Sequence, residues 1–221
     1  MSAPEVVVIG GSAGGLKALR AILDSYGDVS DTVLVAVLHR SPQNSPLAEV
    51  LQAHTTIPVR EPNDSPWDCP VGGLTLGPAG YHLLIGNSRE LLPPSSSPVS
   101  PYRTGTGVRA HLTLDAPVRH SRPSLDVTFA SAAELVNPVT AVLLSCANED
   151  GARGCEVIKS VGGRVVLQDP ASCEVPTAVD AALRRFTPDL VADPAEIGRW
   201  LSASANDFQP RPRRSDSLSE Q

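Results

Sequence analysis

Two kinds of apolar pattern alternate along this chain. The first is a short continuous run, Glu5-Val-Val-Val-Ile9, bounded by the turn Gly10-Gly-Ser-Ala-Gly-Gly15. The second follows at once, with Leu16, Leu19, Ile22 and Leu23 recurring at helical spacing. A strand that is apolar at every position is buried on both faces. A strand, a tight glycine turn and an amphipathic helix together open an α/β unit. The run Thr32–Leu38 repeats the continuous pattern and ends at His39. Its natural reading is a parallel partner of the first strand, reached by a crossover helix.

The next stretch changes character. Between Thr56 and Leu92, short strand-like pieces (Ile57–Arg60, Leu74–Leu76, His82–Ile85) are separated by proline and glycine, which predicts a small antiparallel excursion. Residues 93–107 are loop by composition. A helix is predicted over Pro123–Leu135, with Pro123 in the first turn and Leu125, Phe129, Ala132 and Ala133 on one face. Alternation then resumes. Thr140–Ser145 and Arg164–Gln168 read as strands, and Gly151–Val161, Pro176–Phe186 and Pro194–Leu201 as helices. The expectation is an α/β fold, a doubly wound and largely parallel sheet with helices on both faces. Residues 1–203 form its single domain, and 204–221, without apolar periodicity, read as a disordered tail.

Composition narrows the partners. The formal net charge of −6 argues against a general nucleic-acid binder, which needs a basic stripe. No apolar run approaches the roughly 20 residues of a membrane span, so no membrane insertion is expected. The start, MSAPEVVVIGG, has no basic segment before its apolar run, so a cytoplasmic chain is expected. Four cysteines (Cys69, Cys146, Cys155, Cys173) are scattered, with neither a CxxC pair nor histidine at ligand spacing. They read as buried small side chains, and no metal site is expected.

Chemistry is concentrated at strand ends. In open α/β sheets the ligand crevice lies outside the carboxyl ends of the strands. Ser12 follows the first strand, His39 the second, and Asp150 lies in the loop Cys146–Gly151 after the Thr140 strand. A nucleophile, a base and a carboxylate on three separate strands can converge although far apart in sequence. A serine in a sharp glycine turn exposes its hydroxyl, and the helix after it aims N–H groups at the same spot. His39 would accept the Ser12 proton while Asp150 fixes the imidazole tautomer. Other readings stay open from spacing alone. A glycine turn after a first strand also suits a phosphate or nucleotide, although GxGxxG fails at Ser12 and no Walker lysine–serine pair follows. His39 also fits a satisfied strand-end histidine, and Asp150 the N-cap of the helix near Gly151. Asp126 reads as a solvated or capping carboxylate. Cys146 is set aside as a nucleophile because no histidine lies close to it in sequence.

At these residues the chain resembles the catalytic domain of the chemotaxis receptor protein-glutamate methylesterases, the CheB family. The resemblance runs from about Glu5 to Leu201 and rests on six motifs in order. They are Val8-Ile-Gly-Gly-Ser-Ala-Gly-Gly-Leu-Lys-Ala-Leu19, Val37-Leu-His-Arg-Ser-Pro42, Pro78-Ala-Gly-Tyr-His82, Arg122-Pro-Ser-Leu-Asp126, Leu144-Ser-Cys-Ala-Asn-Glu-Asp-Gly-Ala152 and Gln168-Asp-Pro-Ala-Ser-Cys173. The resemblance implies a serine esterase on a doubly wound sheet, with a triad mapping onto Ser12, His39 and Asp150. It implies an oxyanion hole of backbone N–H groups at Ala147 and Ala13, cleft-lining roles for His82 and Arg122, and no cofactor. Its implied substrates are glutamate methyl esters on the cytoplasmic helices of chemoreceptors, with glutamine deamidation as related chemistry.

Departures from the family pattern matter as well. Ala13 stands where the family usually has threonine, and Ser145-Cys-Ala-Asn148 where it usually has threonine-glycine-methionine-glycine. Losing those glycines is expected to shift the loop. The alternative is therefore a catalytically weak or inactive member that docks a receptor or partner. Many members carry an amino-terminal phospho-receiver. With the first strand starting near residue 5, no attached receiver is expected to control this domain.

Overall fold

Continuous burial, not alternation, marks the centre of the fold. In this computed structural model, which describes residues 3–41, 43, 45–87 and 107–204, every residue of β1 (Glu5–Gly11) is buried. Helix α1 (Gly15–Ser25) crosses over to β2 (Thr32–Leu38), which is equally buried and pairs with β1 in parallel. Then come α2 (Leu47–Gln52), β3 (Val59–Arg60), β4 (Trp67–Asp68), β5 (Gly73–Leu76), β6 (His82–Asn87) and β7 (Val108–Thr113). Helix α3 (Leu125–Ala132), β8 (Val139–Leu143), α4 (Ala152–Ser160), β9 (Arg164–Gln168), α5 (Thr177–Leu183), β10 (Leu190–Ala192) and α6 (Pro194–Ser204) complete the chain.

Seven strands form one parallel sheet in the order β10-β9-β8-β1-β2-β5-β3. Successive residues of a strand face opposite sides, and the core divides accordingly. Val6, Val8, Val33 and Val35 pack with Leu125, Phe129 and Ile158 of α3 and α4, while Val7, Ile9, Leu34 and Ala36 pack with Leu19, Ile22 and Leu51 of α1 and α2 and with Leu201 of α6. Strand β1 is where the order reverses, since the chain moves to β2 on one side and later to β8 on the other. The doubly wound arrangement therefore opens its crevice at the carboxyl end of β1.

The antiparallel part differs in membership from the expectation. The pieces at 57–60 and 74–76 join the parallel sheet as β3 and β5, and the small second sheet is β4-β7-β6. Short length and flanking prolines do not encode strand direction. Strand β7, in a stretch where the patterning marks no element, turns Val108 and Ala110 into the core. Pro123 does not open α3. It precedes Ser124, whose hydroxyl accepts from Val127 N and caps the helix. The expected loop at 93–107 falls almost wholly outside the described residues, as does the expected tail beyond Ser204. Among the described residues no helix is long and apolar enough to cross a membrane.

Helices α3 and α4 touch through Gly154. A Cβ there would lie 2.6 Å from Phe129 Cβ and 3.1 Å from the Asp126 backbone. Gly154→Ala should therefore lower stability by about 1–3 kcal/mol despite alanine's better helix propensity, measured as a drop in urea midpoint at unchanged slope. An unchanged midpoint would mean that the two helices separate without cost.

Candidate active site

Ladder register brings Ser12 and His39 together. Gly11 pairs with Leu38, and His39 N donates to Gly11 O at 3.0 Å, so the next residues along are neighbours across two adjacent strands. On the other side, Ser12 N donates to Ser145 O at 2.9 Å. Ser12 is half-buried at the centre of the sheet's carboxyl edge. The turn behind it depends on Gly14, which caps α1 with φ 75°, and an added Cβ would meet Glu174 Cβ at 2.7 Å. A side chain at that position would be strained and crowded at once.

Asp150 is fully buried and satisfied by four donors. Its Oδ2 accepts from His39 Nε2 at 2.7 Å and from Leu125 N at 2.8 Å. Its Oδ1 accepts from Ser124 Oγ at 2.9 Å and from Asp126 N at 3.0 Å. Burial pushes its pKa up, but the imidazole, the two backbone N–H groups and the hydroxyl outweigh burial and hold it below the usual carboxylate range. The N-cap reading of Asp150 is corrected by this arrangement. Gly151, at φ 99°, caps α4 without any side-chain bond, and the carboxylate serving α4 is Asp126, whose Oδ1 accepts from Gly151 N at 2.9 Å and Gly154 N at 2.7 Å. Each aspartate thus caps the other's helix. Burial, the largest influence, raises the Asp126 pKa.

With Nε2–H given to Asp150, Nδ1 is the basic nitrogen of His39. It faces Ser121 Oγ at 3.3 Å and Cys146 Sγ at 3.8 Å. Among the described residues no hydrogen bond joins Ser12 Oγ to the imidazole. The carboxylate half of the expected triad is closed and the hydroxyl half is open. The ground for setting Cys146 aside, the want of a histidine near it in sequence, does not hold in the fold, because the sheet brings one from 107 residues away; its sulfur is nevertheless fully buried. Ser121 was missed for a different reason. It closes a two-residue turn with Val118 whose central residues, Arg119 (φ 47°) and His120 (φ 66°), are left-handed without being glycine or asparagine. No turn signal in the sequence announces such a turn. Burial would lower the imidazole pKa, but the Asp150 bond and the Cys146 sulfur outweigh it and raise it to about 9.

The remaining predicted residues separate clearly. His82 is a correction, since it is 1 % exposed and does not line the cleft. Its Nδ1 accepts from Ser124 N at 3.2 Å, and its other nitrogen meets Ala116 O at 3.1 Å, so it braces the start of α3. Ser124 completes a second serine–histidine–aspartate grouping, but its hydroxyl is fully buried and donated to Asp150, out of a substrate's reach. Arg122 does stand on the wall of a cavity of about 440 Å³ that opens beside His39. Among the described residues the N–H groups of Ala13 and Ala147 have no protein acceptor. The loop before Asp150 is pinned by one of its departures, with Asn148 Oδ1 accepting from Asp150 N at 2.9 Å, while Cys146 N donates to Val175 O at 3.0 Å.

Comparison with known proteins decides the kinship. The family model described as CheB methylesterase matches residues 7–201. The chain belongs to the CheB methylesterase family. A relative from Leptospira interrogans named "Putative protein-glutamate methylesterase/protein-glutamine glutaminase" is 27% identical over 210 residues, 94% of this chain and 98% of its own length. A Trichodesmium erythraeum protein-glutamate methylesterase/protein-glutamine glutaminase is 32% identical over 76% of this chain, which spans only 44% of that relative. The crystal structure of the Thermotoga maritima CheB methylesterase catalytic domain shares the fold, with a TM-score of 0.76 over 90% of this chain and 98% of that one, at 24% identity.

Within this CheB-family fold the His39 shift makes stability depend on pH. The unfolded imidazole titrates near 6.5 and the folded one at about 9, so the native state holds its proton more tightly. The stability this adds is complete below about pH 6.5 and is lost as pH rises toward 9. Melting temperature should therefore fall between about pH 6.5 and 8.5, and His39→Gln should flatten that fall. The thiols Cys69 and Cys173, pushed up by burial to about 12 and about 11, add to the fall only above about pH 8.5, where their unfolded forms begin to ionise. Equal slopes in the two proteins would contradict the assignment.

Proposed function

We propose that this chain is a cytoplasmic serine esterase that hydrolyses glutamate γ-methyl esters on chemoreceptor helices and releases methanol. The observation that carries the reading is the buried Asp150 bonded to His39 Nε2 at 2.7 Å, which leaves Nδ1 basic on a residue whose backbone neighbours that of Ser12 across the strand edge. Ser12 Oγ attacks the ester carbonyl as His39 Nδ1 takes its proton. Nδ1 has one lone pair, so Ser12 must displace the Ser121 hydroxyl to use it. The N–H groups of Ala147 and Ala13 hold the oxyanion, and their being main chain makes the substitutions at these positions tolerable. The imidazolium then protonates the leaving methoxide. Water, deprotonated by His39, cleaves the acyl-enzyme and restores Ser12. The same acyl chemistry on a primary amide releases ammonia, in keeping with the glutaminase activity in the relatives' names. No step calls for a metal or an organic cofactor.

The open Ser12–His39 pair favours a second reading, a docking module without turnover. A fluorophosphonate probe separates the two, because only an activated serine labels at Ser12. For the esterase, Ser12→Ala should cut methanol release from methylated receptor by at least about a thousandfold. Full activity in that variant would refute the assignment.

The rate should also follow His39. With the imidazole titrating at about 9, kcat/KM rises with pH through neutrality and levels off above that value. Cys146→Ala removes a group that raises this pKa, so the midpoint should move down and the rate at pH 7 should rise several-fold. A midpoint that stays in place would show that Asp150 alone sets the imidazole.

A further inference from the structure

The cavity beside His39 has a charge opposite to that of the chain. The protein carries a formal net charge of −6, yet His39, Arg40, His120 and Arg122 line this space and none of the described lining residues is acidic. Its two guanidinium groups are committed differently. Arg40 is ion-paired with Glu61 and donates to Gly77 O as well. Arg122 has neutral partners, donating through Nη1 to Leu114 O at 2.9 Å and Asp115 O at 3.1 Å. Among the described residues it joins no ion pair. The neighbouring Asp115 carboxylate accepts instead from Thr113 Oγ1.

Two further facts make this cation a binding group. The Nε of Arg122 is buried with no acceptor, so its charge is partly stripped of water and nothing negative replaces that water. A cation so placed attracts an anion more strongly than one on an open surface. Its Nη2, by contrast, makes no hydrogen bond within the protein among the described residues and is not among the buried unpaired atoms. Arg122 shares this cavity wall with His39 and with Ser121, whose hydroxyl is 3.3 Å from His39 Nδ1. A carboxylate held at Arg122 would therefore share one cavity with an ester presented to His39, a spacing that suits side chains one turn apart on a helix, with Cβ atoms about 5–6 Å apart.

We infer that Arg122 is a specificity-determining residue whose guanidinium binds the carboxylate of an acidic side chain neighbouring the scissile ester on the same substrate helix. The inference rests on the esterase reading for where the ester sits. It adds that the preferred substrate carries a second, unesterified glutamate or aspartate within one helical turn.

Helical peptides with one glutamate γ-methyl ester, flanked one turn away on either side by glutamate or by glutamine, test this directly. Methanol release gives kcat/KM for each peptide, and fluorescence anisotropy gives Kd. The wild-type protein should favour at least one acidic peptide over its amide twin by about tenfold, as expected for a charge-assisted hydrogen bond. That ratio should fall to about one in Arg122→Gln, persist in Arg122→Lys, and shrink with added salt. A ratio taken within one variant is insensitive to how much of that variant is folded. No preference in the wild type, or an unchanged preference in Arg122→Gln, would overturn the assignment. Equal hydrolysis of both twins would leave the esterase intact and remove Arg122. If no peptide is hydrolysed the esterase reading fails, and the ratio of Kd values alone then upholds or overturns the carboxylate subsite.

Discussion

Everything at the sheet edge depends on one buried carboxylate. Asp150 gives up water completely, and a charge in that state is tolerable only when every lone pair finds a donor. Its donors come from β2, through His39, and from the first turn of α3, through Ser124, Leu125 and Asp126. Asp126 returns the favour to α4. The two aspartates lock α3, α4 and the end of β2 into one unit, with Gly154 letting the helices approach closely enough for both caps to form. Capping and imidazole orientation are thus one network, and loss of either aspartate leaves buried donors unmatched.

The electrostatic consequence is a strongly held proton on His39. Asp150 and the Cys146 sulfur both favour imidazolium, and burial does not offset them. A histidine that takes a proton easily suits the oxyanion stage of ester cleavage but starts each cycle already protonated at neutral pH. Cys146, where the family usually has glycine, increases that cost. On the mechanism proposed above, Ser121 adds another by occupying the nitrogen that Ser12 would use. The imidazole is therefore framed by two close neighbours, Ser121 and Cys146, besides its aspartate.

Much of this was legible in the chain itself. Uninterrupted apolar runs announced buried parallel strands, and Thr32–Leu38 and Arg164–Gln168 appear with the bounds their patterns predict. Strand-end positions singled out Ser12, His39 and Asp150, because polar groups just past buried strands face the crevice in any doubly wound sheet. Strand direction in the middle third was not legible, since two- to four-residue pieces carry no signal for pairing partner.

The alternation of the longer strands and helices, the hydrophobic period and the strand-end chemistry are local properties, written in consecutive side chains, and the sequence determined them unaided. Tertiary structure alone decided which groups surround the imidazole. Cys146 is 107 residues from His39 and Ser121 is 82. Likewise His82 became a brace and not a cleft residue because β6 delivers it under α3. Such neighbours are set by sheet order and by helices closing over a buried charge. No local pattern encodes that, because the energy lies in contacts that exist only once the chain has closed.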